Sequence, residues 1–155
     1  ITYYGEFHPI EGETNIYSAV GEESDDYENQ LNAARKAVEH GYCVFILPNP
    51  KGIRTADFIF ERKGVYKLYD LKTIMGRSSV SNRLLESIGQ ANRVLLNMAV
   101  DYNPIALARN VKSYFEKNPK AVEVLIFKGH KCISVLREDV QSKTFHKLFI
   151  AKYIK

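Results

Sequence analysis

The chain lacks any apolar run long enough to cross a membrane. Stretches such as Val44 to Leu47 fall far short of the ~20 residues a bilayer requires. It has no signal-peptide pattern and begins with Ile1 rather than Met, so it reads as a piece or a processed product of something longer. Cysteine is scarce. Cys43 and Cys132 sit in apolar strand-like runs, without the spacing of a metal knuckle or a redox pair, and read as core thiols. No internal repeat, low-complexity segment or second domain is visible. The first thirty residues have no Lys or Arg at all.

What is present is ordinary for a globular domain: 155 residues, 45% hydrophobic and 26% charged, enough to bury a real core. The charge is unevenly spread. Residues 1–30 hold eight of the 18 acidic side chains, so the other 125 carry all 22 basic residues against ten acidic ones, a net of +12. A basic body suits a polyanion such as nucleic acid, through phosphate contacts and counterion release; surplus lysines that only keep a domain soluble give the same sum. The acidic leader reads either as a shield for that body or as a solvated tail.

Residues 1–23 show no clear periodicity and read as an irregular acidic arm with one short strand at most, leaving 24–155 as a single domain. Ser24 is a candidate N-cap, Asp25, Asp26 and Glu28 suit the positive end of a helix dipole, and Tyr27, Leu31, Ala34 and Val38 make a helical stripe that Gly41 stops. Tyr42 to Leu47 has the pattern of an internal strand, broken by Pro48 to Gly52. Strands at about Thr55–Glu61 and Val65–Thr73 flank Lys63-Gly64 as a hairpin. After a polar loop from Gly76 to Ser79, the stripe Val80, Leu84, Ile88, Ala91, Leu95 and Met98 predicts one long helix. Asn103-Pro104 opens another that ends at Asn118-Pro119. Strands at Val122–Phe127 and Cys132–Leu136 and a helix over Glu138–Ile150 complete the chain. The fold class is α/β, a mixed sheet with flanking helices, because the hairpin is antiparallel and helical crossovers demand parallel pairs.

The hairpin carries the chemistry. With its turn centred between Lys63 and Gly64, Asp57 falls directly opposite Asp70, where Cβ atoms lie about 5 Å apart on one face. Lys72, two residues on, shares that face. Two facing carboxylates repel, and a divalent cation would remove the penalty; paired carboxylates with phosphate oxygens are what Mg²⁺ prefers. A neighbouring lysine could stabilise charge on a phosphorus centre or orient water. An edge strand with solvated charges, Lys72 neutralising Asp70, is the plainer account of the same residues.

Thr55-Ala56-Asp57 followed thirteen residues on by Asp70-Leu71-Lys72 resembles the PD-(D/E)xK nuclease signature, with Ala56 in place of the leading proline. The surroundings, over residues 24–100, resemble one subgroup: the tRNase domain at the C-terminus of contact-dependent growth inhibition toxins and related polymorphic bacterial toxins. The resemblance implies a restriction-endonuclease-like core of order α-β-β-β-α-β. It implies Asp57 and Asp70 as ligands of Mg²⁺ (or Mn²⁺), Lys72 as catalytic lysine, Glu28 near or on the metal, and Gln90 on the following helix facing the site. It further implies tRNA as substrate, a cognate immunity protein, and export within a larger protein to act in a target cell's cytoplasm. Asn82, Glu86, Gln90 and Arg93 form a polar stripe opposite the apolar one. Ser79, Asn82 and Arg93 are weak candidates for substrate phosphate, although Ser79 or Ser81 also suits a helix cap, and Arg54, Arg77 and Arg83 are weaker still. His146 reads as structural, and His40 as a complement to a helix C-terminus. Two other functions stay open: a DNA endonuclease of the same fold, and a non-catalytic nucleic-acid-binding module.

Overall fold

The computed structural model describes residues 7–19, 25–48 and 55–155. The chain divides into two compact units, and the boundary falls after Leu71, inside a strand. The expectations for Ser24, for Asn49 to Gly52 and for Arg54 lie outside the described residues.

The first unit is built on strands β1 (Phe7–Pro9), β2 (Ile16–Ala19), β3 (Cys43–Ile46), β4 (Phe58–Arg62) and the start of β5 (Val65–Ile74), with helix α1 (Tyr27–Glu39) between β2 and β3. Successive strands pair in chain order. β2 and β3 are parallel, as the helical crossover between them requires, and the other pairs are antiparallel. The supposed arm is therefore not irregular over its described part. Phe7 to Ala19 form a strand pair that extends the sheet, and Glu13 between them bonds Arg35 of α1 through both carboxylate oxygens. The Arg35 guanidinium holds the Glu13 carboxyl below the usual carboxylate range.

The register assigns each face. Ile16, Val44, Ile46, Phe58, Phe60 and Tyr69 fall on one side and are buried, and α1, with Leu31, Ala33, Ala34 and Ala37 buried, packs on β2 and β3. Tyr17, Phe45, Ile59 and Leu68 fall on the other side. The hairpin turn is Lys63-Gly64, and both residues have positive φ (54° and 79°), the conformation that matches strand twist in a two-residue hairpin. Its ladder runs from Arg62↔Val65 to Phe58↔Tyr69, the register expected of a turn centred there.

The second unit contains the end of β5, α2 (Val80–Glu86), β6 (Arg93–Met98), α3 (Pro104–Lys117), β7 (Glu123–Lys128), β8 (Lys131–Leu136), α4 (Arg137–Gln141) and α5 (Phe145–Ile154). β6 and β7 are parallel across α3, and β7 and β8 form an antiparallel hairpin. Asn103 caps α3 by accepting from the Ile105 and Ala106 amides, with Pro104 in the first turn. Ile74, Val80, Leu84, Val94, Leu96, Leu107, Val111, Phe115, Val124, Ile126, Phe145, Phe149 and Tyr153 form the core.

Three expectations are overturned here. The long helix from Val80 ends after Glu86; Gly89 turns the chain at φ 91°, and Val94 to Met98 become a strand buried on both sides. A run buried on both sides reads as continuously apolar, which a helical stripe also satisfies. The last helix breaks in two at Ser142 to Thr144. Cys132 is exposed and Cys43 half-buried, so neither is a core thiol; burial and the Glu61 carboxylate push the Cys43 thiol up. Among the described residues, no helix is long and apolar enough to cross a membrane.

Candidate active site

Phe58 pairs with Tyr69, yet the Asp57 amide also donates to the Tyr69 carbonyl at 2.9 Å. Asp57, just before β4, and Phe58, its first residue, thus face the same residue of β5, the arrangement of a β-bulge. The direct opposition of Asp57 and Asp70 is accordingly not part of the ladder. A bulge re-aims a side chain, and here it turns the Asp57 carboxylate onto the neighbouring strand. Asp57 Oδ2 accepts the Leu71 amide at 2.7 Å, and Oδ1 accepts Gln30 Nε2 of α1 at 3.2 Å. On its other side the Asp57 carbonyl accepts the Leu47 amide at 2.9 Å. Asp57 is therefore fixed from three elements while half exposed.

Asp70 is the residue before Leu71, whose amide Asp57 holds, and is 1% exposed; Lys72, on the same strand two residues on, is 7% exposed. Alternation along β5 puts Tyr66, Leu68, Asp70 and Lys72 on one side of it. A carboxylate and a lysine this buried are rare unless partnered.

Gln30 is not among the residues that the sequence pattern singles out. It is 2% exposed on the α1 stripe beside Leu31 and Ala34, and it is the α1 side chain that reaches Asp57. Glu28, two positions earlier, is exposed on the first turn. The available signal was a polar residue inside an apolar helical stripe, which marks a buried amide needing a partner.

Among the described residues, no group of three or more His, Cys, Asp and Glu side chains could hold a metal ion. The carboxylates the sequence offers for a metal are Asp57, half exposed, and Asp70, buried. A carboxylate offers about four lone-pair directions, so Asp57 keeps acceptor capacity after its two bonds. Hard oxygen donors in this number fit Mg²⁺, which takes one or two carboxylates and completes its shell with water and phosphate oxygens.

Apart from His40, the remaining predicted residues belong to the second unit. Gln90 lies in the turn after α2, off any helix, and donates from Nε2 to the Glu86 carbonyl at 3.0 Å. Ser79 is the N-cap of α2, its hydroxyl accepting the Asn82 amide at 3.3 Å, and the Asn82 side chain is exposed. Arg93 begins β6 opposite Glu123, with Nε 3.3 Å from its carboxylate, and Ser134 Oγ donates to the other oxygen of Glu123 at 2.6 Å. Arg83 pairs with Glu86 within α2. Arg77 is exposed, and His40 is the C-cap of α1.

No family model matches the chain, and no curated protein matches it. Among solved structures it is similar to a chain of the CdiA-CT/CdiI toxin and immunity complex from Burkholderia pseudomallei. The two are 19% identical, with a TM-score of 0.51, over 76% of this chain and 92% of that one. The likeness is one of fold: this chain has an α/β fold like that of a contact-dependent growth inhibition toxin.

Proposed function

We propose that this chain is a metal-dependent nuclease that hydrolyses RNA phosphodiester bonds, with tRNA as its substrate. In this reading it is the toxin domain of a bacterial competition system, carried by a larger exported protein, acting in the target-cell cytoplasm and neutralised by an immunity protein. The observation that carries the catalytic part is the bulge at Asp57, which aims one carboxylate at the strand bearing Asp70 and Lys72 and holds it with two donors. The order helix, three strands, short helix, strand from α1 to β6 supports a PD-(D/E)xK core. The fold likeness to a toxin and immunity complex supports the biological setting.

In this reading Asp57 and Asp70 hold a divalent cation, Mg²⁺ with Mn²⁺ as substitute. When bound, the cation supplies Lewis acidity at a phosphodiester. The Leu71 amide and Gln30 keep Asp57 from reorganising as charge develops, which is the source of most electrostatic catalysis. Lys72 contributes a fixed positive charge toward the phosphoryl oxygens, and a water oriented beside it is the nucleophile.

The test is incubation of the purified chain with total tRNA and with plasmid DNA, each with Mg²⁺ or EDTA, beside Asp57→Asn and Lys72→Ala. Mg²⁺-dependent tRNA cleavage lost in both variants is the expected result. Cleavage of plasmid alone transfers the site to a DNA endonuclease. Cleavage by the folded variants at the wild-type rate removes the catalytic reading of these residues.

A further inference from the structure

Two helices of the second unit bring unpaired positive charge together. The Tyr102 amide, just before α3, donates to the Tyr153 hydroxyl near the end of α5 at 3.2 Å. At the other end of α3, Lys112 and Phe115 line a cleft of about 230 Å³ with Val140 and Gln141, which lead into α5. The helices therefore lie side by side and antiparallel. Seven residues on from Tyr102 is Arg109, and seven back from Tyr153 is His146, so Arg109 and Lys112 run alongside the start of α5. Lys143 and Lys147 flank that start. Leu148 and Lys152 line a second cleft with Ile133 and Val135, which marks the β8 side of α5, and Lys147 is turned about 100° from Leu148, away from that side. Arg109, Lys143 and Lys147 are exposed and Lys112 is half-buried. Among the described residues, none of these four cations takes part in an ion pair.

Carboxylates do not balance them. Glu116 is the one acid on α3, and α5 has none. Glu138 and Asp139 of α4 line the cleft beside β8 instead, and Arg137 shares the α3 cleft with Glu116 and offsets it. The fold gains nothing from this arrangement. Neighbouring cations repel, and Lys143 and Lys147 sit at the positive end of the α5 dipole, where basic side chains are unfavourable. Charge of one sign gathered at such a cost suits a polyanion. Its class follows from what the patch lacks. Protein interfaces are built round apolar and aromatic cores from which lysine is depleted. Here cations form the centre: the exposed Ile105 and Ile154 lie toward the Tyr102–Tyr153 end, and Leu148 lies on the β8 side. Ammonium and guanidinium groups without bonded partners are how proteins follow a phosphate backbone, which carries a charge at every nucleotide.

We infer that Arg109, Lys112, Lys143 and Lys147 form a phosphate-backbone site that holds the RNA substrate on the helices of the second unit. RNA as the polyanion rests on the nuclease reading, but the test requires no cleavage.

The experiment is fluorescence anisotropy of the full chain with a labelled oligoribonucleotide, in EDTA across a KCl series, beside urea unfolding of each protein. Lys143→Ala combined with Lys147→Ala is expected to weaken binding by about tenfold and to lower the salt slope by about 1 to 2, because each lost phosphate contact removes roughly 0.7–0.9 released counterions. Its urea midpoint stays at or above that of wild type, since two cations leave the positive end of a helix. Arg109→Gln combined with Lys112→Gln gives a loss of similar size. Lys152→Ala, which removes an exposed cation on the β8 side of α5, changes neither affinity nor slope. No RNA binding by wild type, unaltered affinity in both double variants, or a comparable loss in Lys152→Ala overturns the inference. Labelled poly-glutamate whose binding is lost in the double variants while RNA binding persists also overturns it, and assigns the patch to an acidic protein. RNA binding that needs these residues without Mg²⁺-dependent cleavage leaves the site in place and removes the nuclease reading. Mg²⁺-dependent tRNA cleavage indifferent to both double variants does the reverse.

Discussion

The Asp57 carboxylate closes the gap that its own bulge opens, accepting the Leu71 amide at 2.7 Å where a strand partner would otherwise stand. Leu71 is buried, so this amide cannot turn to water instead. The two obvious substitutions therefore separate structure from chemistry. Asp57→Ala leaves the amide unpaired and costs about 1–3 kcal/mol of stability. Asp57→Asn keeps an acceptor for it and stays within roughly 1 kcal/mol of wild type. Both are expected to lose cleavage, because neither offers a charged oxygen donor. Urea unfolding and a tRNA assay on the same preparations decide the matter: a stable Asp57→Asn that still cleaves normally would sink the assignment of Asp57.

Gln30 provides the second donor, so its replacement tests whether the carboxylate must be held in place. Gln30→Leu fills the same buried volume without donating, and cleavage is expected to fall about tenfold or more while the fold persists. Gln30→Glu puts a second acid 3.2 Å from the position of Asp57 Oδ1, where two like charges repel. That variant should be less stable than wild type in EDTA and gain more thermal stability on adding Mg²⁺, since a cation bound only by the folded state stabilises it by mass action. No Mg²⁺ shift in either protein would remove the carboxylates as a cation site.

The hairpin beside the candidate site was legible in the sequence. Lys63-Gly64 set the turn, and the turn set the pairing from Arg62↔Val65 to Phe58↔Tyr69. The bulge that follows was not, because an extra residue in one strand leaves the alternation of Phe58, Ile59 and Phe60 undisturbed. Gln30 is masked in the sequence by its place within an apolar stripe, whereas Glu28 stands out there by its charge alone. The helix through Val80 to Met98 failed for a different reason. Leu95 and Met98 continue a spacing of three and four, but they also belong to a run buried on both sides of a strand, and periodicity in a short apolar run does not separate the two. With that helix gone, Gln90 and Arg93 no longer share a face.

In the second unit, Arg137 binds three carbonyls. Its guanidinium donates to the Phe115, Asn118 and Ala121 carbonyls at 3.0, 2.6 and 2.9 Å, closing the end of α3 where helical carbonyls have no partner of their own. Arg137→Ala is expected to cost roughly 2–3 kcal/mol, as the loss of charge-assisted bonds to buried acceptors. Arg137→Lys should recover little of this, because an ammonium cannot reproduce the planar fork. Urea midpoints of the three proteins test both statements; a lysine variant as stable as wild type would show that charge alone suffices.

Tyr153 gives the fold a dependence on alkaline pH. It is fully buried on α5, stacks on Phe149, lies under the Lys128 ammonium, and its hydroxyl accepts the Tyr102 amide at 3.2 Å. Burial pushes its phenol above the usual value, and the Tyr102 bond and Lys128 only partly offset that. The folded chain therefore keeps this proton at a pH where the unfolded chain has released it. The resulting stability is fully present below the unfolded phenol value of about 10 and is lost as pH rises through the folded one. Tyr153→Phe has nothing to titrate. It should be less stable than wild type at pH 8, having lost the acceptor for Tyr102, but should lose less stability between pH 9 and about pH 11. Other tyrosines and lysines titrate in both proteins, so the difference between the two pH profiles of the urea midpoint isolates this group. Parallel profiles would mean that Tyr153 ionises in the folded chain as easily as in water.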